Sequence, residues 1–387
     1  MNARTAAALA SLAILMAGTT APSALFVVYR DAWGLSTRDL GVVFAAYVCT
    51  LLPVLVLFGG IADRIGRRAA IGIGLALALV GLVTLALASG FAGLVVARLL
   101  QGAGVGLASG AIIAAVTESH RGRLAPGSWT MIASGTGIFT GPLVAAVAYD
   151  LGAGEHAAYA PLVVLTVACA AALPLLAPRV IVRAGEAVEE PLPQDVVARA
   201  LAFALSVTFV SWTGVSLYLS MVPAFLAATL HAHDPLVGAT VISALQLAGI
   251  VATLSRRTIV PERDGVIAPL VVVIGLVALV AGTALHGFAG WSLIVLSTVL
   301  VGAGGGVAFA TAIVIATRVC RGQRARIFAR LYVAAYLAFS VPSLVIGTIA
   351  TRWSLATGFA VIIAVLAALV AVLPALRARA RLSAVPA

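Results

Sequence analysis

Long runs of apolar residues alternate with short polar stretches along the whole chain. A transmembrane helix needs about 20 predominantly apolar residues, and runs of this kind recur twelve times. Membrane β-strands would be about half as long and would alternate apolar with polar positions, which these runs do not. The pattern predicts an all-α polytopic membrane protein with twelve transmembrane helices, at residues 6–28, 40–58, 69–88, 91–116, 129–149, 157–178, 200–226, 236–254, 266–286, 288–316, 328–350 and 355–376.

The composition makes lipid the expected surroundings of the folded chain. Hydrophobic residues make up 63% of the sequence and charged residues 10%, whereas soluble domains contain about 45–50% apolar residues. The net charge of +11 would indicate a nucleic-acid partner in a soluble protein. Because the charges lie between the apolar runs, we expect contact with a lipid bilayer and no nucleic-acid partner.

The basic residues are distributed unevenly between the two ends of the predicted helices. All 24 are arginines. With the N-terminus in the cytoplasm, 20 of them fall on the inner side and three on the outer side, namely Arg30, Arg38 and Arg352. Since inner loops carry the excess of basic residues, we place both termini in the cytoplasm. The abundance of arginine and alanine is typical of a GC-rich genome, and we expect a bacterial inner-membrane protein.

The longest polar stretch divides the predicted helices into two groups of six. It runs from residue 179 to 199 and carries an acidic cluster, namely Glu186, Glu189, Glu190 and Asp195. It is too short for a folded domain, so we interpret it as a cytoplasmic linker. The sequence thus predicts an N-terminal bundle at 1–178 and a C-terminal bundle with a short cytoplasmic tail at 200–387.

An internal repeat relates the two predicted bundles. Residues 102–122 and 302–322 share glycines, a threonine and an Arg-Gly pair at a constant offset of 200 residues. Both copies enter the membrane from the same side, which is typical of a parallel repeat about an axis along the membrane normal. We therefore expect two six-helix bundles related by a pseudo-two-fold axis.

The loop between the second and third predicted helices, residues 59–68, is unusually polar and reads GGIADRIGRR. Its glycines, Gly59, Gly60 and Gly66, supply the backbone freedom for a tight turn. The positive-inside rule explains its arginines, Arg64, Arg67 and Arg68. It does not explain Asp63, because a carboxylate at the membrane edge needs a partner or a helix N-terminus. Glu118 is a second acid in the same layer.

The repeat also places a counterpart of this loop in the C-terminal half, near residues 254–263. That stretch keeps arginines but lacks the glycine and aspartate pattern. We therefore predict that Asp63 has no counterpart there.

One arginine, Arg98, lies inside an apolar run. Its insertion costs about 2.5–3.5 kcal/mol, so it should face a polar cavity or a partner. Gln101 lies one turn further along the same helical face, and the glycines that follow allow close helix approach. The alternative is an arginine that snorkels to the outer interface.

The fifth predicted helix contains Gly137, Gly141 and Pro142. The proline removes one backbone hydrogen bond and the glycines narrow the helix, so we expect a bend against a neighbouring helix. Further candidates for the wall of a cavity are polar or aromatic residues within the predicted helices, namely Thr19, Thr20, Trp212, Gln246, Tyr332 and Tyr336. For the threonines, hydrogen bonds back to their own helix are an equal alternative. For the other four residues, packing or a place in the aromatic belt at the membrane interface is the more common role.

Three of these motifs resemble those of the major facilitator superfamily. The loop from Gly59 to Arg68 matches the family's pattern G-x-x-x-D-R-x-G-R-R, and Arg98 begins its fourth-helix pattern R-x-x-Q-G-x-G. The stretch from Gly137 resembles the G-x-x-x-G-P-x-x-G-G motif of the family's antiporters, with Ala145 and Ala146 in place of the last two glycines.

The resemblance implies a secondary transporter that works by alternating access. It implies that Asp63, the loop arginines and Glu118 form an inner charge lock, which closes when the cavity opens outward. It also associates Arg98 with proton coupling, and Gln101 shares its helical face.

We therefore predict a monomeric exporter of a small amphipathic compound, driven by protons and without a cofactor, metal or catalytic residue. A proton-coupled importer of a small metabolite is the alternative within transporters. An intramembrane enzyme would need clustered His, Glu, Asp or Ser in its spans, and a membrane sensor would need a soluble appendage. The sequence shows neither.

Overall fold

The structure is a computed structural model, and it describes residues 3–58, 61–119, 126–175, 193–256, 258–285, 287–319 and 324–380. Within these ranges the chain forms sixteen α-helices and no β-strand. Their bounds are α1 Ala3–Thr20, α2 Pro22–Trp33, α3 Thr37–Phe58, α4 Ile61–Ile65, α5 Arg67–Ala86, α6 Phe91–Ser119, α7 Pro126–Ala148, α8 Gly154–Ala157, α9 Ala160–Ala171, α10 Gln194–Ser220, α11 Val222–Leu230, α12 Pro235–Leu254, α13 Pro261–Ala284, α14 Gly287–Val319, α15 Arg324–Ala350 and α16 Leu355–Ala380.

The prediction of an all-α polytopic membrane protein is confirmed. Among the described residues, eleven helices are long and apolar enough to cross a membrane, and Ala160–Ala171 is a shorter apolar helix. Each of the twelve predicted segments overlaps one of these helices or a pair of them. The last three residues of the predicted segment 157–178 lie outside the described part of the chain.

The first predicted helix is interrupted near its middle. Helix α1 ends at Thr20 and α2 begins at Pro22, with Ala21 between them. Proline has no N–H to donate, so it suits the first turn of a new helix better than the interior of an old one. Gly34 then ends α2 in the left-handed conformation, with φ +63°, which is typical of glycine after a helix.

The loop at residues 59–68 contains one short helix, α4, rather than a turn alone. Gly66 separates α4 from α5 with φ +94°, a backbone conformation that a residue with a Cβ rarely adopts. Gly66 therefore lies where the chain turns between two helices, whereas Gly59 and Gly60 lie outside the described residues.

The described residues fall into two compact units. The first unit comprises those of Met1–Val182 together with Leu219–Ala227 and Ala232–Ser243. There α6 packs against α3 and α5, and α1 packs against α7. The second unit comprises those of Arg183–Tyr218, Ala228–His231 and Ala244–Ala387, and in it α13 packs against α14 and α16.

Helix α10 begins at Gln194, within the stretch predicted as a linker. Residues 176–192 lie outside the described chain. The division into bundles at 1–178 and 200–387 therefore stays a prediction.

Candidate functional site

The first unit buries a charged side chain, Arg98 of α6, which is only 2% exposed. Its guanidinium donates a hydrogen bond to the backbone carbonyl of Thr19 in α1. The same terminal nitrogen donates to Oε1 of Gln101 at 3.0 Å. Arg98 and Gln101 therefore act as one polar unit on α6, directed at α1.

Gln101 completes this contact with α1. Its Nε2 donates to the carbonyl of Gly18 at 2.9 Å. In a continuous helix that carbonyl would accept the N–H of the residue four positions later, which here is Pro22, a residue without an N–H. Because a buried carbonyl without a donor is costly, Gln101 stabilises the helix end by supplying the missing hydrogen bond.

Aromatic rings cover the remaining face of the guanidinium. The Cζ atom of Arg98 lies 4.9 Å from the ring centre of Tyr47 and 5.9 Å from that of Phe44, both in α3. Among the described residues, no carboxylate pairs with Arg98, and its Nε atom has no hydrogen-bond partner. Carbonyl dipoles and aromatic faces therefore stabilise the charge in place of a counter-ion.

A pair of tyrosines lies near this cluster, and sequence reasoning missed it. The hydroxyls of Tyr29 in α2 and Tyr159 before α9 are 2.5 Å apart and buried. Tyr29 also stacks on Trp33 with ring centres 4.6 Å apart. Tyr159 interacts electrostatically with Arg98. A buried tyrosine hydroxyl needs a partner, but nothing in the sequence joins two tyrosines that are 130 residues apart.

The hydroxyls of Thr19 and Thr20 bond back to their own helix. Both donate to the carbonyl of Met16, at 2.9 Å and 3.0 Å, and both residues are buried. The polar group that Thr19 offers to Arg98 is thus its backbone carbonyl.

The glycines of the fifth predicted helix lie where α7 meets α1. A Cβ at Gly137 would collide with the carbonyl oxygen of Ala13, and one at Gly141 would collide with that of Ala17. Pro142 lies inside α7 directly after this contact. The small residues therefore permit backbone-to-backbone packing of the two helices.

The second unit gathers several of the predicted cavity residues into one aromatic cluster. The ring centre of Trp212 lies 5.1 Å from that of Phe309, 5.7 Å from that of Tyr336 and 5.8 Å from that of Phe339. Tyr332 stacks on Tyr336 at 6.5 Å. Trp212, Tyr332 and Tyr336 are half-buried, so the cluster keeps an accessible aromatic face.

Gln246 of α12 is half-buried as well, and no described contact joins it to the aromatic cluster. Across the described part of the chain, no group of three His, Cys, Asp or Glu side chains is placed to hold a metal ion.

The first turn of α13 contains a buried carboxylate, directly after residues 254–263, where the sequence predicts no counterpart of Asp63. Asp264 is 1% exposed and pairs with Arg256 at 2.7 Å. It also accepts the N–H of Val260 at 2.9 Å and so caps the start of α13. At the repeat offset of 200 residues the position of Asp63 falls on Arg263, so the prediction that Asp63 has no counterpart there stays a prediction. The sequence signal for the cap was an acid in the first turn after Pro261.

The predicted charge lock is only partly described. Arg64 and Arg68 are exposed and Arg67 is half-buried. The side chains of Asp63 and Glu118 lie outside the described residues, so the lock stays a prediction.

The profile of the Major Facilitator Superfamily matches residues 7–268, and a comparison with curated proteins gives no match. The fold is similar to that of a bacterial homologue of the human lysosomal transporter Spinster, with 13% identity, 99% of this chain and 98% of that chain covered, and a TM-score of 0.72. It is also similar to a POT family transporter in complex with 5-aminolevulinic acid, with 11% identity, 97% and 96% coverage and a TM-score of 0.79. The xylose transporter XylE from E. coli gives 15% identity, 94% and 95% coverage and a TM-score of 0.72.

Proposed function

Because the chain belongs to the major facilitator superfamily, and is thus a multi-pass secondary transporter that works by alternating access and not an enzyme, we propose that it exports a small amphipathic compound in exchange for protons. The observation that carries this proposal is that the guanidinium of Arg98 is buried and that no carboxylate of the described residues pairs with it. A fixed cation in an apolar environment favours the deprotonated form of an acid that comes near it. Arg98 would therefore promote proton release during the transport cycle.

The groups around Arg98 support this role. Its contacts are neutral: the carbonyl of Thr19, the amide of Gln101 and the rings of Tyr47 and Phe44. None of them cancels its charge, so the charge remains available to act on a titrating group.

The aromatic cluster around Trp212 is the proposed contact for the substrate. Half-buried tryptophan and tyrosine rings offer flat apolar faces with a polar tip, which matches an amphipathic molecule. No Asp or Glu falls in the middle of a predicted helix. We therefore favour a neutral compound over a lipophilic cation.

The remaining assignments belong to the same proposal. The protein would act as a monomer in a bacterial inner membrane, with both termini in the cytoplasm. Asp63, Glu118 and the arginines Arg64, Arg67 and Arg68 would close the inner side when the cavity opens outward. Import by symport is the second candidate, favoured by Ala145 and Ala146 in place of the two glycines of the antiporter motif.

An efflux experiment that records the pH of the lumen distinguishes antiport from symport. A growth screen of a deletion strain identifies a transported compound, and proteoliposomes are loaded with that compound and a pH-sensitive dye. As the compound leaves, antiport acidifies the lumen and symport makes it alkaline. If the compound leaves and the pH of the lumen stays constant, proton coupling is contradicted.

The Arg98→Ala variant is expected to abolish the pH change while the protein still reconstitutes. Arg98→Lys is the matched variant, since it keeps the charge but not the forked hydrogen-bond geometry. A wild-type pH change in Arg98→Ala would remove Arg98 from the coupling site.

A further inference from the structure

A groove opens on the first unit beside the loop at residues 59–68. It has a volume of about 720 Å³ and lies between the start of α5 and the end of α9. Gly72 keeps it open, because a Cβ there would lie 3.2 Å from Cδ1 of Leu173 on the opposite wall. The other lining residues are mostly small or apolar, so the groove suits a hydrocarbon chain.

The inner end of the groove is positively charged. Arg68 lines it and is exposed, and no carboxylate of the described residues pairs with it. The same short stretch also carries Arg64, Arg67 and one acid, Asp63, so its formal net charge is +2. The groove therefore prefers an anionic group at this end.

The other end of the groove continues into an apolar surface. Exposed side chains follow one face of α5, at Ala69, Ile73, Ala76 and Val80, which is the spacing of a single helical stripe. On α9, Val164 is 66% exposed. Both helices are apolar, so these faces lie where lipid chains cover a membrane protein.

We propose that this groove binds an anionic phospholipid, with its phosphate on Arg68 and an acyl chain between α5 and α9. The charge, the apolar walls and the continuity with the lipid-facing stripe together fit a molecule with one anionic head and a long apolar chain. Free phosphate lacks the chain, and a zwitterionic lipid lacks the net charge.

Native mass spectrometry of the delipidated full-length protein tests the proposal. The protein is titrated with phosphatidylglycerol and, separately, with phosphatidylcholine. Arg68→Gln should weaken the first phosphatidylglycerol site about fivefold, the effect of one arginine next to an anionic lipid. Gly72→Leu should weaken it as well without any change of charge. Binding of phosphatidylcholine should be weaker and unaffected by Arg68→Gln.

Arg379→Gln is the matched control. It removes the same charge from an exposed position in the last turn of α16, and it should leave the affinity unchanged. Equal losses in both arginine variants, or wild-type affinity in Arg68→Gln and Gly72→Leu, would overturn the proposal. So would displacement of the lipid by inorganic phosphate, or by a peptide of residues 176–192, which would assign the groove to a free anion or to the linker.

Discussion

The contact between the first and fourth predicted transmembrane helices of each half is built differently in the two halves of the chain. These helices are α1 and α6 in the first half and α10 and α14 in the second. In the first unit, Arg98 and Gln101 of α6 reach two backbone carbonyls of α1. The repeat offset of 200 residues places Thr298 and Val301 at the corresponding positions of α14. Both are buried, and neither is charged.

Hydroxyl groups join the corresponding helices in the second unit. Tyr218 of α10 meets Ser297 of α14 at 2.6 Å, and Ser211 donates to the carbonyl of Gly305 at 2.7 Å. Neutral hydrogen bonds are therefore sufficient to hold this pair of helices together. The comparison teaches that Arg98 is not needed for packing as such, which leaves its charge for another role.

The contact of a second pair of helices also differs between the two units, and no charged residue takes part in it. In the first unit, Gly137 and Gly141 bring α7 onto the backbone of α1. The offset places Leu337 and Val341 at these positions of α15, and they are 44% and 43% exposed. There Ser216 of α10 donates to the carbonyl of Phe339 instead. At this pair of helices, the first unit uses close backbone approach and the second uses a side-chain hydrogen bond.

The largest expected effect comes from Gly137→Val. The added side chain would meet the backbone of α1, and overpacking of this kind destabilises a protein by about 1–3 kcal/mol. The thermal midpoint of the full-length protein in detergent should fall by several degrees. Leu337→Val, at the corresponding position of α15, should leave the midpoint unchanged. Equal midpoints for the two variants would contradict the difference between the two helix pairs.

Gln101→Leu is expected to have the next largest effect. It leaves the buried carbonyl of Gly18 without a donor, which costs about 1–3 kcal/mol. If Gln101 replaces the N–H that Pro22 lacks, then Pro22→Ala should recover part of the loss in the Gln101→Leu background. Thermal midpoints of the two single variants and the double variant measure this coupling. Strictly additive effects would show that the two residues act independently.

Ser216→Ala should have the smallest effect. It removes an interhelical hydrogen bond, and such bonds in membrane proteins contribute about 0.6 kcal/mol on average. Ser206→Ala on the same helix is the control, because its hydroxyl donates to the carbonyl of Ala202 in its own helix. A fall in the midpoint that is as large as that of Gly137→Val would mean that hydroxyl contacts are as critical as glycine contacts.

The sequence was sufficient for the fold because hydrophobic length alone marks a membrane helix. It also placed Arg98 and Gln101 on one face, since a spacing of three residues determines this in any helix. It could not identify their partners, because these are backbone carbonyls and every residue has one. The only local sign was Pro22, four residues after Gly18, which leaves a carbonyl in need of a donor.

Contacts between residues far apart in the chain could not be predicted from the sequence. The Tyr29–Tyr159 contact joins residues that no local pattern connects. The buried position of Asp264 was not predicted, because the expected pattern around Asp63 includes glycines. Asp264 instead pairs with Arg256 and caps α13. The roles predicted for the loop at residues 59–68 stay predictions.

The interruption at Ala21 has a mechanical consequence. The carbonyls of Gly18 and Thr19, three and two residues before it, accept hydrogen bonds from side chains of a different helix, α6, so the angle between α1 and α2 is restrained from outside the helix itself. Any event that loosens Arg98 or Gln101 also relaxes that angle. A change of charge or hydration beside one arginine would thereby be converted into a tilt of the twelve-residue segment Pro22–Trp33.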